Sequence, residues 1–120
     1  MKPKFRPGKN IAMKVPAHEY DRTVAFYRDV LGFKLMDEAP SGEMESVAFE
    51  FGDKNLWIDR VPSLSQAEIW LEVVTDDIEA ASIYLENTPC IRRDEIEPLP
   101  KNFKGFWIAG PANIIHLVSA

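Results

Sequence analysis

Apolar and polar positions alternate along several short runs of the chain and fall at helical spacing in two others. Lys9–Val15 alternates and predicts a strand. Pro16 keeps the connection Pro16–Tyr20 out of the ladder. Asp21 is a candidate N-cap for a helix whose inner positions are Val24, Tyr27, Val30 and Leu31, and Gly32 stops it. Phe33–Asp37 reads as a second strand and Ala39-Pro40-Ser41-Gly42 as a turn. Ser46–Phe51 and Asn55–Arg60, turned by Gly52-Asp53, read as a hairpin. Val61–Gln66, with Pro62, Ser63 and Ser65, is a joint.

The same order then recurs. Glu68–Val74 is a strand with room for a bulge at its end. Asp76 is a candidate cap for a second helix, with Glu79 at its third position and Ile78, Ala81 and Leu85 as the inner stripe. Asn87-Thr88-Pro89 ends that helix. Cys90–Asp94 reads as a strand and Glu95–Lys104 as a polar surface loop. Phe103–Ala109 and Asn113–Val118 read as a final hairpin turned by Gly110-Pro111. Asn10 lies over Glu68 at an offset of 58, while Phe49 lies over Phe106, and Asp59 over His116, at 57. The repeat rests on element order and offset, since few residues are identical. It predicts an α+β fold of two βαβββ modules, about 9–60 and 67–119, within one domain spanning 1–120. The modules would form a curved mixed sheet around a cleft, with strand positions Asn10, Asp59, Glu68 and His116 at its centre.

Composition narrows the function. Of 120 residues, 46% are hydrophobic and 28% charged, enough to fill one core and cover it. The formal net charge of −5 argues against nucleic acid or an anionic membrane as partner, despite basic residues at Lys2, Lys4, Arg6 and Lys9. The single cysteine, Cys90, excludes an intrachain disulfide and fits a reducing compartment. With no run of about 18 apolar residues and no apolar leader, the expectation is a cytoplasmic protein.

Asp21-Arg22-Thr23-Val24-Ala25-Phe26-Tyr27-Arg28-Asp29-Val30-Leu31-Gly32-Phe33 resembles the S-x-x-F-Y-x-x-x-L-G-F signature of the vicinal oxygen chelate superfamily, with Thr23 at the Ser position. That group includes glyoxalase I, bleomycin- and fosfomycin-resistance proteins and extradiol dioxygenases. Glu72–Ala81 is similar to the start of the second module, and Gly110–Leu117 to the stretch D-P-D-G-N-x-I-E-L. The resemblance implies the glyoxalase/bleomycin-resistance fold. It also implies that each module offers one metal ligand from its first strand and one from its last, usually a His and a Glu. Here those positions are Asn10, Asp59, Glu68 and His116. Asn10 replaces a His, Asp59 replaces a Glu, and Glu68 and His116 have their types exchanged. A one-residue slip would put Ile58 in the cleft and turn Asp59 outward.

Asp59, Glu68 and His116 would make a one-His, two-carboxylate site for one divalent ion: manganese, iron, nickel or zinc. Each also has an ordinary structural reading, as a strand-end, surface or hydrogen-bonded residue. His18 reads as a loop histidine or a base at the cleft mouth. Trp57 and Trp70 share faces with Asp59 and Glu68, so with Asn10 they are the candidate ligand-binding residues. Trp107 is a strand aromatic. Lys14 shares a face with Asn10. Of Arg92 and Arg93 only one can face inward. Cys90 reads as packing.

Three functions stand side by side. One is a metal-dependent lyase or isomerase of glyoxalase type on a small vicinal-oxygen substrate, with Glu68 and His116 catalytic. Another is a metal-free module that sequesters a drug or metabolite and, given the acidic balance, a basic one. The third is a scaffold whose cleft is filled by its own side chains. The resemblance also implies a homodimer.

Overall fold

The structure, a computed structural model, describes residues 2–36 and 45–120. The turn expected at Ala39–Gly42, and Asp37 at the end of the second strand, lie outside the described residues. The elements in chain order are β1 (Phe5–Val15), α1 (Ala17–Ala25), β2 (Ser46–Phe51), β3 (Lys54–Arg60), β4 (Glu68–Thr75), α2 (Ile78–Glu86), β5 (Ile91–Arg92), β6 (Gly105–Ala109) and β7 (Ile115–Ser119). They fall into two compact units, Lys9–Ile69 and Trp70–Ala120 joined by the segment up to Gly8. Among the described residues no helix is long and apolar enough to cross a membrane.

In the first unit the strand order is β2-β3-β1. β1 runs parallel to β3 and β2 antiparallel to it. Val15, Phe49, Leu56 and Ile58 project from one face and pack against Tyr20 and Val24 of α1. The helix starts four residues before the expected cap at Asp21. Pro16 takes the cap position, and the inner stripe reaches back to the buried Tyr20. His18 is therefore an exposed helical residue. Past Ala25 the helix widens into a π-turn, Phe26–Val30, in which the Leu31 N–H donates to the Phe26 carbonyl at 2.9 Å. Gly32 follows at φ +70°, a left-handed conformation that only glycine takes without steric cost. The expected strand after it is reduced to a bridge between Leu35 and Phe49, with Met36 and Glu50 N–H groups bonded across to β2 and back.

The second unit repeats this plan in the order β4-β7-β6-β5, with β4 and β7 parallel and the rest antiparallel. Ala81 of α2 packs against Phe106, Ile108 and Val118. The cap of α2 is Asp77, one residue beyond the expected Asp76. Its Oδ1 accepts from the Ala80 N–H at 3.0 Å, while Asp76 Oδ1 accepts the Lys4 N–H. The Thr75 hydroxyl donates to the Lys4 carbonyl at 2.9 Å, so the N-terminal segment is tied to this unit. β5 is shorter than the expected Cys90–Asp94: Ile91 and Arg92 pair with β6 and the Arg93 N–H donates to the Trp107 carbonyl at 2.9 Å, but the Trp107 N–H goes to the Asp94 side chain at 3.1 Å instead of continuing the ladder.

Phe49, with no exposed surface, sits at the centre of the first core. Phe49→Ala should lower unfolding free energy by ~3–5 kcal/mol, read from denaturant midpoints at constant slope.

Candidate functional site

Strand alternation gives each sheet a face covered by its helix and a face that is not. In the first unit the uncovered face carries Asn10 and Lys14 from β1, Asn55, Trp57 and Asp59 from β3, and Ser46 from β2. Ile58 points the other way, into the helix-covered core. Of the two facings the sequence left open, Asp59 takes the one on the uncovered face. Its carboxylate is already engaged. Lys14, its register partner, brings Nζ to 2.7 Å from Oδ2, and the Ser46 hydroxyl donates to Oδ1. Both ends of the pair are buried, Lys14 at 2% exposure and Asp59 at 7%. Asn10 is engaged as well, since its Oδ1 accepts from Trp57 Nε1 at 2.9 Å and from Asn55 Nδ2 at 3.1 Å. Beneath this face burial pushes the Tyr20 phenol above its ordinary value of 10.0, helped by the carboxylates of Glu45, Asp59 and Asp21 and opposed by Arg60.

In the second unit the register pairs Glu72 with Leu117 and Leu71 with His116. Glu72 and Leu117 lie on the uncovered face with Trp70 and Trp107, whose rings meet edge to face at 5.2 Å. By alternation along β4, the exposed Glu68 shares the face of Trp70. Ile96 and Leu99 from the expected surface loop pack on Trp107, Ala109 and Ile115, and Trp107 Nε1 donates to the Glu97 carbonyl at 2.9 Å. The loop is thus a partial cover for this face. His116 is on the other side. It lies opposite Ile108 and beside Val118, on the face that α2 covers. Arg92 lies over the Phe106 ring at 4.3 Å, and Arg93 pairs with Glu95.

The expected trio Asp59, Glu68 and His116 is not gathered: among the described residues no group of three His, Cys, Asp or Glu side chains is placed to hold a metal ion. The residues do not fit a resident divalent cation. Asp59 is neutralised by a buried ammonium, the Asn10 amide oxygen is taken by two N–H donors, and His116 is turned to the helix side. The position equivalent to Asp59 is Leu117, which bears no donor. Two signals pointed there. Counting without gaps from Pro111 along P-D-G-N-x-I-E reaches Leu117, and so does the first-strand offset of 58 applied to Asp59. The offset of 57 came from the hairpins. The register of the last strands is 58, as for the first strands, because Lys14 pairs with Asp59 and Glu72 with Leu117. Sequence reasoning noted the face of Lys14 but missed its pairing. That pairing depends on the β1–β3 register, which no local pattern specifies.

A sequence model of the Glyoxalase/Bleomycin resistance protein/Dioxygenase superfamily matches residues 11–87. No curated protein matches the chain. Several solved structures share its fold at low identity. A Mn(II)-bound glyoxalase from Novosphingobium aromaticivorans superposes with a TM-score of 0.67 at 17% identity, covering 98% of this chain and 39% of that one. A hypothetical protein from Bacillus halodurans gives 0.64 at 14% identity, covering 97% and 94%. Homoprotocatechuate 2,3-dioxygenase from Arthrobacter globiformis gives 0.61 at 19% identity, covering 98% and 37%. The chain therefore spans about two fifths of the length of the glyoxalase and dioxygenase chains it resembles.

Removing one member of a buried ion pair strands the other, whereas removing both does not. Asp59→Ala should cost ~3–5 kcal/mol, and Lys14→Met combined with Asp59→Leu should cost much less than the sum of the single changes. A double-mutant cycle in denaturant measures both. Because the Tyr20 phenol is held protonated above its unfolded value, its contribution is fully present below pH 10 and should be lost as pH rises beyond it. Tyr20→Phe should flatten the alkaline limb of a stability-versus-pH curve.

Proposed function

The chain belongs to the Glyoxalase/Bleomycin resistance protein/Dioxygenase superfamily, and from that premise we propose that it binds a small organic molecule without a resident metal ion. The observation that carries this reading is the buried Lys14–Asp59 pair. A divalent cation needs carboxylates whose charge is still available. Here an ammonium already neutralises Asp59, and a second cation beside it would meet like-charge repulsion in a poorly solvated site. The Mn(II)-bound glyoxalase resembles this chain in fold alone.

The ligand-binding residues in this reading are Asn10, Trp57 and Trp70. Trp57 and Trp70 are each half-buried on the uncovered face of their own unit, and each by itself offers aromatic area for stacking. Asn10 fixes the tilt of the Trp57 indole through its N–H. The net charge of −5 favours a cationic ligand.

Elemental analysis of untagged protein, before and after incubation with manganese, iron, nickel and zinc, should find metal well below one equivalent. Near-stoichiometric metal that disappears in Asp59→Ala and Glu68→Ala would overturn the reading and restore a metal-dependent lyase or isomerase. Tryptophan fluorescence titrated with flat cationic aromatics should quench to saturation, with part of the signal lost in Trp57→Phe.

A further inference from the structure

The two units are built alike, yet one helix-side position is occupied differently in each. An offset of 58 carries the register pair Met13–Ile58 onto Leu71–His116. Ile58 has no exposed surface and packs in the core beneath α1. Its counterpart, His116, instead lines a cavity of about 330 Å³ beside α2, at the small end of the range of ligand pockets. The lining is mainly apolar and partly aromatic, with Phe5, Tyr84, Leu85, Ile108 and Val118, and it also includes Lys2, whose Nζ stands 5.8 Å from the centre of the Tyr84 ring. The Phe5 and Tyr84 rings stand 6.1 Å apart at a tilt of 41°.

An imidazole in such a lining is out of place as packing, and its hydrogen bonding defines what it can do. His116 Nδ1 lies 3.1 Å from the Ile114 carbonyl oxygen. A carbonyl can only accept, so Nδ1 carries the proton of the neutral ring and Nε2 is left as an acceptor. Among the described residues Nε2 meets no hydrogen-bonding partner. The cavity thus combines mainly apolar walls, two aromatic rings and the His116 Nε2 acceptor, with Lys2 also in the lining. We propose that this cavity is a binding site for a small, mainly apolar molecule with one hydroxyl donor, a monocyclic phenol, whose O–H meets His116 Nε2 and whose ring lies among Phe5, Tyr84 and Leu85. The ring takes the volume that Ile58 and its neighbours fill in the other unit. A hydroxyl donor is specified because an unmatched acceptor in an apolar pocket discriminates against ligands that leave it bare. The site is on the helix-covered face of its unit, whereas the function proposed above is argued from the uncovered faces, so each stands or falls separately.

The test is a nuclear magnetic resonance titration of the full chain with 4-propylphenol and, in parallel, propylbenzene. The phenol should shift the amides of Gly110 and Val118 and bind about tenfold more tightly than propylbenzene, the scale of one hydrogen bond. His116→Leu should erase that preference while propylbenzene still binds, and Leu85→Trp, which fills the cavity, should remove both. A phenol that binds no better than propylbenzene, a preference that survives His116→Leu, or binding unchanged in Leu85→Trp would overturn the proposal. Wild-type protein supplies a check that does not depend on the variants folding. The His116 Nε2 nitrogen resonance should move on phenol binding while the Nδ1 proton persists, and an unmoved Nε2 would count against the site.

Discussion

Everything here depends on the two-sidedness of a strand. Successive side chains point to opposite faces, and in each unit one helix covers only one of them. The covered face is settled by packing, with Phe49, Leu56 and Ile58 meeting Tyr20 and Val24 in the first unit and Phe106, Ile108 and Val118 meeting Ala81 in the second. The uncovered face is what remains for chemistry. In the first unit it is polar, with Asn10, Lys14, Asn55 and Asp59, and in the second it is mainly aromatic and aliphatic, with Trp70, Trp107, Ile115 and Leu117 beside Glu72. A shift of one residue in any strand would exchange the two sets.

The polar face is self-satisfied. Lys14, Asp59 and Ser46 form one connected group, and Asn10, Asn55 and Trp57 form another. Burying charge in this way is costly unless every member is matched, so the group fixes the alignment of β1 with β3 more than it adds stability. The same positions that would present ligands to a metal present internal hydrogen bonds instead.

Much of this was legible from the sequence. Period-two runs located β2, β3, β4, β6 and β7, and the helix signature with Gly32 located α1 and its stop. The facing of Asn10 followed from alternation, whereas that of Asp59 was open by one residue until the β1–β3 register placed it. Three further things were not legible. The start of α1 depended on Tyr20 being buried, which is a tertiary fact. Asp76 and Asp77 are equivalent as caps by composition, and only the bond from Lys4 to Asp76 separates them. His116 was assigned to the uncovered face because the last strands were laid over each other at an offset of 57 where the register gives 58, and one residue of error reverses a strand.

β1 begins in one compact unit and ends in the other. Lys4 bonds to Thr75 and Asp76, and Phe5 packs with the core of the second unit. The second module therefore does not own all of its structure, since part of it is lent by residues that come before the first module in the chain. A fragment beginning at β4 would lack that leader, and with it the Lys4 bonds to Thr75 and Asp76 and the Phe5 ring of its core.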